Sequence, residues 1–173
     1  MANTKKKIKK KKEELRVVPD SSWLLAKLNS KDRNHVSVES SLGAILPYRP
    51  AFYIPILVYM ETLSALRRQR IAFSKCYKIL NSFLETIHYF EEKKLTTKKL
   101  IEKHKSFSRL RISQLKGADF YIATEGLSLN AKILTCDKEM RDRVIKYYKQ
   151  IYFLSDRAKS FPSELPRLMR DIQ

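Results

Sequence analysis

Short apolar runs alternate along the chain with longer segments whose apolar positions recur at helical spacing. Leu15–Pro19 reads as a first strand. Asp20, Ser21 and Ser22 then supply N-cap chemistry, and Trp23, Leu24, Leu25 and Leu28 form a helical stripe. Residues 29–50 are polar and broken by Gly43, Pro47 and Pro50, so they read as a loop with at most a short helix over Ser40–Leu46. Phe52–Leu57 reads as a second strand with Pro55 inside it. Val58–Gln69 reads as a helix closed by Arg67, Arg68 and Arg70, where cations suit the dipole. Ala72–Glu92 is the longest periodic segment, with Cys76, Ile79, Leu80, Phe83, Ile87 and Phe90 on one face. Leu95–Thr97 is a candidate for a very short strand and Lys98–Ser113 for a basic helix. A helix over Ala118–Leu129, a strand over Lys132–Thr135, a helix over Glu139–Tyr148 and a strand over Ile151–Leu154 follow. Pro162 and Pro166 leave room only for a short helix in the tail. Strands alternating with helices predict an α/β fold whose mostly parallel sheet carries helices on both faces.

The 173 residues suffice for one domain with a core of its own. Three zones are expected: a basic arm over 1–14, a folded domain over 15–154 and a C-terminal tail over 155–173. Charge changes the picture most. Lys and Arg number 36 against 18 Asp and Glu, a net charge of +18, which predicts a polyanionic partner. Seven lysines crowd Lys5–Lys7 and Lys9–Lys12, a block that repels itself and suits either a solvated tail or a phosphate-tracking arm. The two cysteines have no zinc or disulfide spacing, and the three histidines share no ligand spacing. A reduced, cytoplasmic setting is expected. The apolar run Ala51–Met60 is too short for a bilayer span, so no membrane association is expected.

Against this basic background stand four acids in short fixed frames: Asp20 in VVPDSSWLL, Glu61 in PILVYMETLSALRR, Asp119 in KGADFYIATEGL and Asp137 in KILTCDKEM. Each lies at or just past a strand end or in the opening turns of a helix, where α/β folds gather functional side chains. Singly, each has an ordinary role: an N-cap, a first-turn acid, a dipole partner, a turn former. Together they form an oxygen-only donor set that suits Mg²⁺ or Mn²⁺ rather than zinc. Neighbouring carboxylates repel, and a divalent cation between them removes the conflict while activating water and clamping phosphoryl oxygens. The reaction class that follows is metal-assisted phosphodiester hydrolysis.

These frames, in this order, resemble the PIN-domain ribonucleases, and among them the VapC-type toxins of toxin–antitoxin modules. VVPDSSWLLAKL resembles the family's opening strand and helix, and IPILVYMETLSALRR its second block. GADFYIATEGLSLNAKILTCDKEM resembles the third and fourth blocks, with small residues at Ala123 and Gly126 and the strand-Thr-x-Asp ending. The resemblance spans residues 15 to about 154. It implies a three-layer α/β/α sandwich. It also implies an acidic quartet in which Asp20 and Asp119 are principal metal ligands, Asp137 a further ligand, and Glu61 a ligand or water-orienting base. Ser22 and Thr135 would orient the carboxylates, with Ser21 a weaker candidate. The family further implies an RNA substrate, a cognate antitoxin, and a homodimer formed through helices such as 72–92.

Two other readings stay open on the residues. One is a non-catalytic basic RNA-binding protein with structural acids, which binds RNA without cleaving it at any Mg²⁺ or Mn²⁺ level. The other is a nuclease of the same fold acting on DNA or in RNA processing. The basic arm and the long 29–50 segment depart from the compact toxin pattern, and no cysteine-rich ribbon is present.

Overall fold

The computed structural model describes residues 14–69, 72–87, 89–91, 115, 117–156 and 163–173. Five short strands form its sheet: β1 Arg16–Pro19, β2 Ala51–Ile54, β3 Tyr89–Glu91, β4 Lys132–Thr135 and β5 Ile151–Phe153. Their spatial order is β3-β2-β1-β4-β5 and every neighbouring pair is parallel. Seven α-helices are described: α1 Ser21–Leu28, α2 His35–Ile45, α3 Ile56–Arg68, α4 Phe73–Thr86, α5 Gly117–Leu129, α6 Lys138–Val144 and α7 Leu165–Ile172.

Burial along the central strands shows why helices must cover both faces. Val17 and Val18 point to opposite sides of β1, yet neither is exposed to solvent at all. All four residues of β4 and all three of β5 are buried as well. An all-parallel sheet is stable only when both faces are packed in this way, and the result is the expected three-layer α/β/α sandwich. In α1, Trp23 is fully buried, with its ring centroid 6.3 Å from Phe52 and 6.4 Å from Phe83. α5 lies along β1 and β4.

Four segments differ from the sequence expectation. Residues 35–45 are a helix rather than a loop, because Val38, Ser41, Leu42 and Ile45 make a buried stripe at i, i+3, i+4 and i+7. Two of its buried positions are serines, and Ser41 accepts the indole N–H of Trp23 at 3.3 Å. Pro55 does not sit inside a strand; it ends β2 and occupies the N-cap of α3, with its carbonyl accepting from the Tyr59 N–H at 3.0 Å. A proline forces the residue before it to stay extended, which terminates β2 at Ile54. The periodic segment from Ala72 stops at Thr86, and residues 89–91 leave the helix to pair with the outer edge of β2. That pairing satisfies backbone groups that β2 would otherwise leave open. Finally, α6 ends at Val144, after which Tyr148 turns inward and donates its hydroxyl to the Ala131 carbonyl at 2.5 Å. The candidate strand Leu95–Thr97, the candidate helix Lys98–Ser113 and residues 1–13 of the basic arm lie outside the described residues.

The C-terminal segment is fastened to the sheet. Arg141 grips Glu164 through two hydrogen bonds, at 3.1 and 2.6 Å, and Glu164 in turn accepts the Phe153 N–H at 2.8 Å. Leu168 of α7 is fully buried. The two free cysteines, Cys76 and Cys136, are both buried. No described helix is long and apolar enough to cross a membrane.

At Gly126 α5 lies tight against the sheet. A Cβ there would lie 2.5 Å from Ile133 Cδ1 and 2.6 Å from Ile133 Cγ1, with Tyr148 Cε1 at 3.2 Å. Gly126→Ala is therefore expected to destabilise the fold, by about 1–3 kcal/mol, the usual cost of overpacking. A urea titration of the purified variant measures it; an unchanged midpoint would contradict this packing.

Candidate active site

The strand order reverses direction between β1 and β4: the chain steps to β2 on one side of β1 and returns to β4 on the other. In open α/β sheets the crevice beyond the carboxyl ends at such a point is the usual place for ligands. Two of the four acids stand there by virtue of the backbone alone. Asp20 follows β1 directly, with its N–H continuing the ladder to the Leu134 carbonyl at 2.9 Å, and Asp137 lies two residues past β4.

Each of these two acids caps the helix that leaves its strand. Asp20 Oδ1 accepts the Trp23 N–H at 2.9 Å at the start of α1, and Asp137 Oδ1 accepts the Met140 N–H at 3.0 Å at the start of α6. Glu61 projects from the second turn of α3, a helix whose start is set by Pro55. Asp119 is in the first turn of α5, which opens at Gly117 with a left-handed φ of 54°. Although α3 and α5 come from distant parts of the chain, they bring their acids to the same place. Asp20, Glu61, Asp119 and Asp137 all line one cleft of about 740 Å³, together with Ser21, Ser22, Met60 and Arg68.

Hydroxyl groups hold these carboxylates in place. Ser22 donates to Asp20 Oδ1 at 2.7 Å, and Thr135 donates to Asp20 Oδ2 at 2.5 Å. Thr135 Oγ1 also accepts the Asp137 N–H at 2.9 Å, so one side chain links the two acids at the strand ends. Ser22 Oγ accepts the Cys136 N–H at 2.8 Å. Ser21, the weaker candidate on sequence grounds, donates to Glu61 Oε2 at 3.0 Å. Arg143 was not singled out on sequence grounds; its Nη2 lies 2.8 Å from Asp119 Oδ2. In so basic a chain nothing local distinguishes this arginine from its neighbours, and only the packing of α6 beside α5 brings it to Asp119.

Burial grades the four acids. Asp20 is 3% exposed, Asp119 is intermediate, and Glu61 and Asp137 are exposed. Burial pushes the Asp20 carboxyl up from 3.8 to about 6, with Asp137 adding repulsion, against the lowering effect of Thr135, Ser22 and the Trp23 N–H. Burial also raises Asp119; Arg143 opposes it, while Asp137, Glu61 and Glu139 add to it. These carboxylates thus feel one another, and the burial of Asp20 and partial burial of Asp119 lack a sufficient counter-charge.

The donor chemistry fits a hard divalent cation. Asp20 uses three of its roughly four acceptor positions on Trp23, Ser22 and Thr135, leaving one on Oδ2 among the described residues. Among the described residues, however, no group of three or more His, Cys, Asp or Glu side chains is gathered as a ready ion cage. The arrangement suits an open site of the kind Mg²⁺ prefers, in which one or two carboxylates hold the ion and water completes its shell. Of the three histidines, His35 contacts the Ala26 carbonyl through Nδ1 at 2.8 Å, away from the cleft.

Removing the Thr135 hydroxyl should be felt at both acids. Thr135→Val is expected to cost about 1–3 kcal/mol, because the Asp137 N–H loses its acceptor and Asp20 loses a donor. It should also raise the Asp20 carboxyl further, since that donor stabilises the ionised form. Denaturant unfolding followed from pH 4 to 8 would test both effects.

Strand order, covering layers and acid-lined crevice together define a three-layer α/β/α protein with a carboxylate centre at its topological switch point. The chain belongs to the PIN-domain family, whose pattern matches residues 17–145. Solved structures that share its fold include two toward which the likeness spans most of both chains. PAE2754 from Pyrobaculum aerophilum is 14% identical with a TM-score of 0.52, covering 91% of this chain and 89% of that one. VapBC2 from Rickettsia felis, in a structure bound to a DNA fragment from their promoter, is 14% identical with a TM-score of 0.55, covering 74% of this chain and 92% of that one. At that identity the likeness is one of fold. No curated protein matches the chain.

Proposed function

We propose that this PIN-domain protein is a metal-dependent endoribonuclease whose centre is the acid-lined cleft, and that it serves as the toxin of a toxin–antitoxin pair. The observation that carries the nuclease reading is the meeting of Asp20, Glu61, Asp119 and Asp137 on a single cleft despite their separation in sequence. A bound Mg²⁺ or Mn²⁺ would supply charge to the phosphoryl oxygens and a lowered pKa for the attacking water.

The residues divide the remaining work. Asp20 and Asp119 are the principal ligands, and Asp137 adds a third carboxylate. Glu61, exposed on α3, serves as a ligand or orients water, with Ser21 donating to its Oε2. Ser22 and Thr135 hold the Asp20 oxygens in one orientation, as outer partners do for metal-binding carboxylates. Arg143 and Arg68 flank the acids, where they can take up phosphate charge once a cation satisfies the carboxylates.

The toxin role rests on the sequence resemblance to VapC-type proteins, and it brings with it an antitoxin whose segment covers the cleft and a homodimeric assembly. Labelled RNA and single-stranded DNA, incubated in parallel with Mg²⁺, Mn²⁺ or EDTA, test the chemistry. Cleavage of RNA that requires the metal supports the reading. Binding without cleavage at any metal level would favour a non-catalytic RNA-binding protein, and cleavage of DNA alone would overturn the choice of substrate.

A further inference from the structure

Two arginines on the short helix α6 are held very differently. Arg141 is fastened: its guanidinium makes two hydrogen bonds to Glu164 and a third contact to Asp142, and its side chain is 18% exposed. Arg143, two residues on, has a side chain that is 51% exposed, and its Nη2 lies 2.8 Å from Asp119 Oδ2. A sheltered guanidinium gripped by two carboxylate oxygens is hard to move. A half-exposed one facing a single carboxylate is easily exchanged, because exposed ion pairs contribute little. Yet the carboxylate it faces belongs to the acid cleft, so Arg143 occupies an oxygen of the centre itself.

The surroundings favour an exchange at that oxygen. Asp119 stands within a negative field to which Asp137, Glu61 and Glu139 all contribute. One guanidinium answers that field with a single charge, whereas a divalent cation in the cleft brings two. The two cations also repel each other, so they do not share Asp119 readily. Arg143 has a second partner within reach once it lets go. Glu139 is exposed and stands four residues earlier on α6, the spacing and order at which an acid and a base meet on a helix surface. We propose that Arg143 is a displaceable counter-ion of Asp119, which neutralises the carboxylate in the metal-free protein and yields it to a divalent cation by turning to Glu139. This proposal rests on the metal-centred reading of the acid cleft. Arg143 is then a positioning residue that sets how tightly the centre holds its cation, by competing with the metal rather than by ligating it.

The test measures metal binding apart from cleavage. Mn²⁺ is titrated into the full chain without RNA, and the free ion is read from its electron paramagnetic resonance signal. Arg143→Gln is expected to bind Mn²⁺ roughly fivefold more tightly than the wild type, the scale of one exposed ion pair. Arg143→Lys keeps the charge and should stay close to the wild type. The gain in Arg143→Gln should shrink as KCl is raised, because the competing charge is screened. A purely structural ion pair predicts the other sign, since its loss would loosen α6, whose first turn Asp137 caps, and so weaken the metal site. The side-chain Nε–H resonance of Arg143 in the wild type should also move as Mg²⁺ is added, a readout that needs no variant. Unchanged or weaker Mn²⁺ binding by folded Arg143→Gln, or an Arg143 resonance that stays put while Mg²⁺ saturates the wild type, would overturn this inference alone. No Mn²⁺ binding by the wild type would sink the metal reading and this inference with it. Tighter binding by Arg143→Gln, with no RNA cleavage by the wild type at any metal level, would sink the nuclease reading alone.

Discussion

Asp119→Asn is expected to lower metal-dependent RNA cleavage by roughly 10³-fold, about 4 kcal/mol of transition-state stabilisation, while the protein stays folded. The substitution keeps the size and shape of the side chain and removes only its charge. Asp119 is partly buried and its carboxyl is raised despite Arg143, so a divalent cation beside it would meet unsatisfied charge. The cost to the fold is small for the same geometric reason. Its partner Arg143 has a half-exposed side chain, and an ion pair of that kind contributes about 0–1 kcal/mol. Part of even that loss is offset, because the asparagine no longer feels the repulsion of Asp137, Glu61 and Glu139. Circular dichroism melts set beside single-turnover cleavage separate the two effects. Wild-type cleavage by the folded variant would remove Asp119 from the chemistry.

The second large effect runs in the opposite direction for stability. Asp20→Asn is expected to stabilise the metal-free protein at pH 7.5 while abolishing cleavage. In the unfolded chain the Asp20 carboxyl ionises near 3.8, and in the folded protein it holds its proton to about pH 6. The folded state therefore binds more protons across that window, and stability from this group falls as pH rises through it. The interval corresponds to about 3 kcal/mol, fully lost above pH 6. An asparagine never ionises, so it escapes that loss. Its Oδ1 can still cap α1 and accept from Ser22, and its amide N–H can donate to the Thr135 hydroxyl, which then acts as acceptor. The expected gain is about 2–3 kcal/mol at pH 7.5, shrinking to nothing near pH 4. Adding Mn²⁺ should restore stability to the wild type by mass action and leave Asp20→Asn unmoved. Chemical denaturation at the two pH values, with and without Mn²⁺, checks all of this; a variant less stable than the wild type at pH 7.5 would contradict the burial of an ionised Asp20.

Much of this centre was legible in the sequence, because backbone position alone fixes where Asp20 and Asp137 go. A residue just past a central parallel strand has nowhere to stand but the carboxyl edge of the sheet. The frames around Glu61 and Asp119 showed that each opens or closely follows the start of a helix, and the family resemblance supplied the expectation that they converge. Helix α2 was obscured because serines fill two of its buried positions, so the apolar count falls below what a helical stripe normally shows. The strand β3 was hidden for the converse reason: Ile87 and Phe90 continue the helical period of α4, and only the open edge of β2 draws that segment out of the helix. Arg143 was legible only as one of many cations on basic helices; its pairing with Asp119 is a property of packing rather than of local pattern.

Gly126 and Asp119 belong to the same helix, seven positions apart, or about 10 Å along its axis. α5 is a rigid rod between them, packed along β1 and β4 and carrying a carboxylate near its end. Any bulk that lifts the rod from the sheet swings that carboxylate away from its three companions. A methyl group placed against the sheet, two turns of helix from the acids, can thus detune the acidic centre.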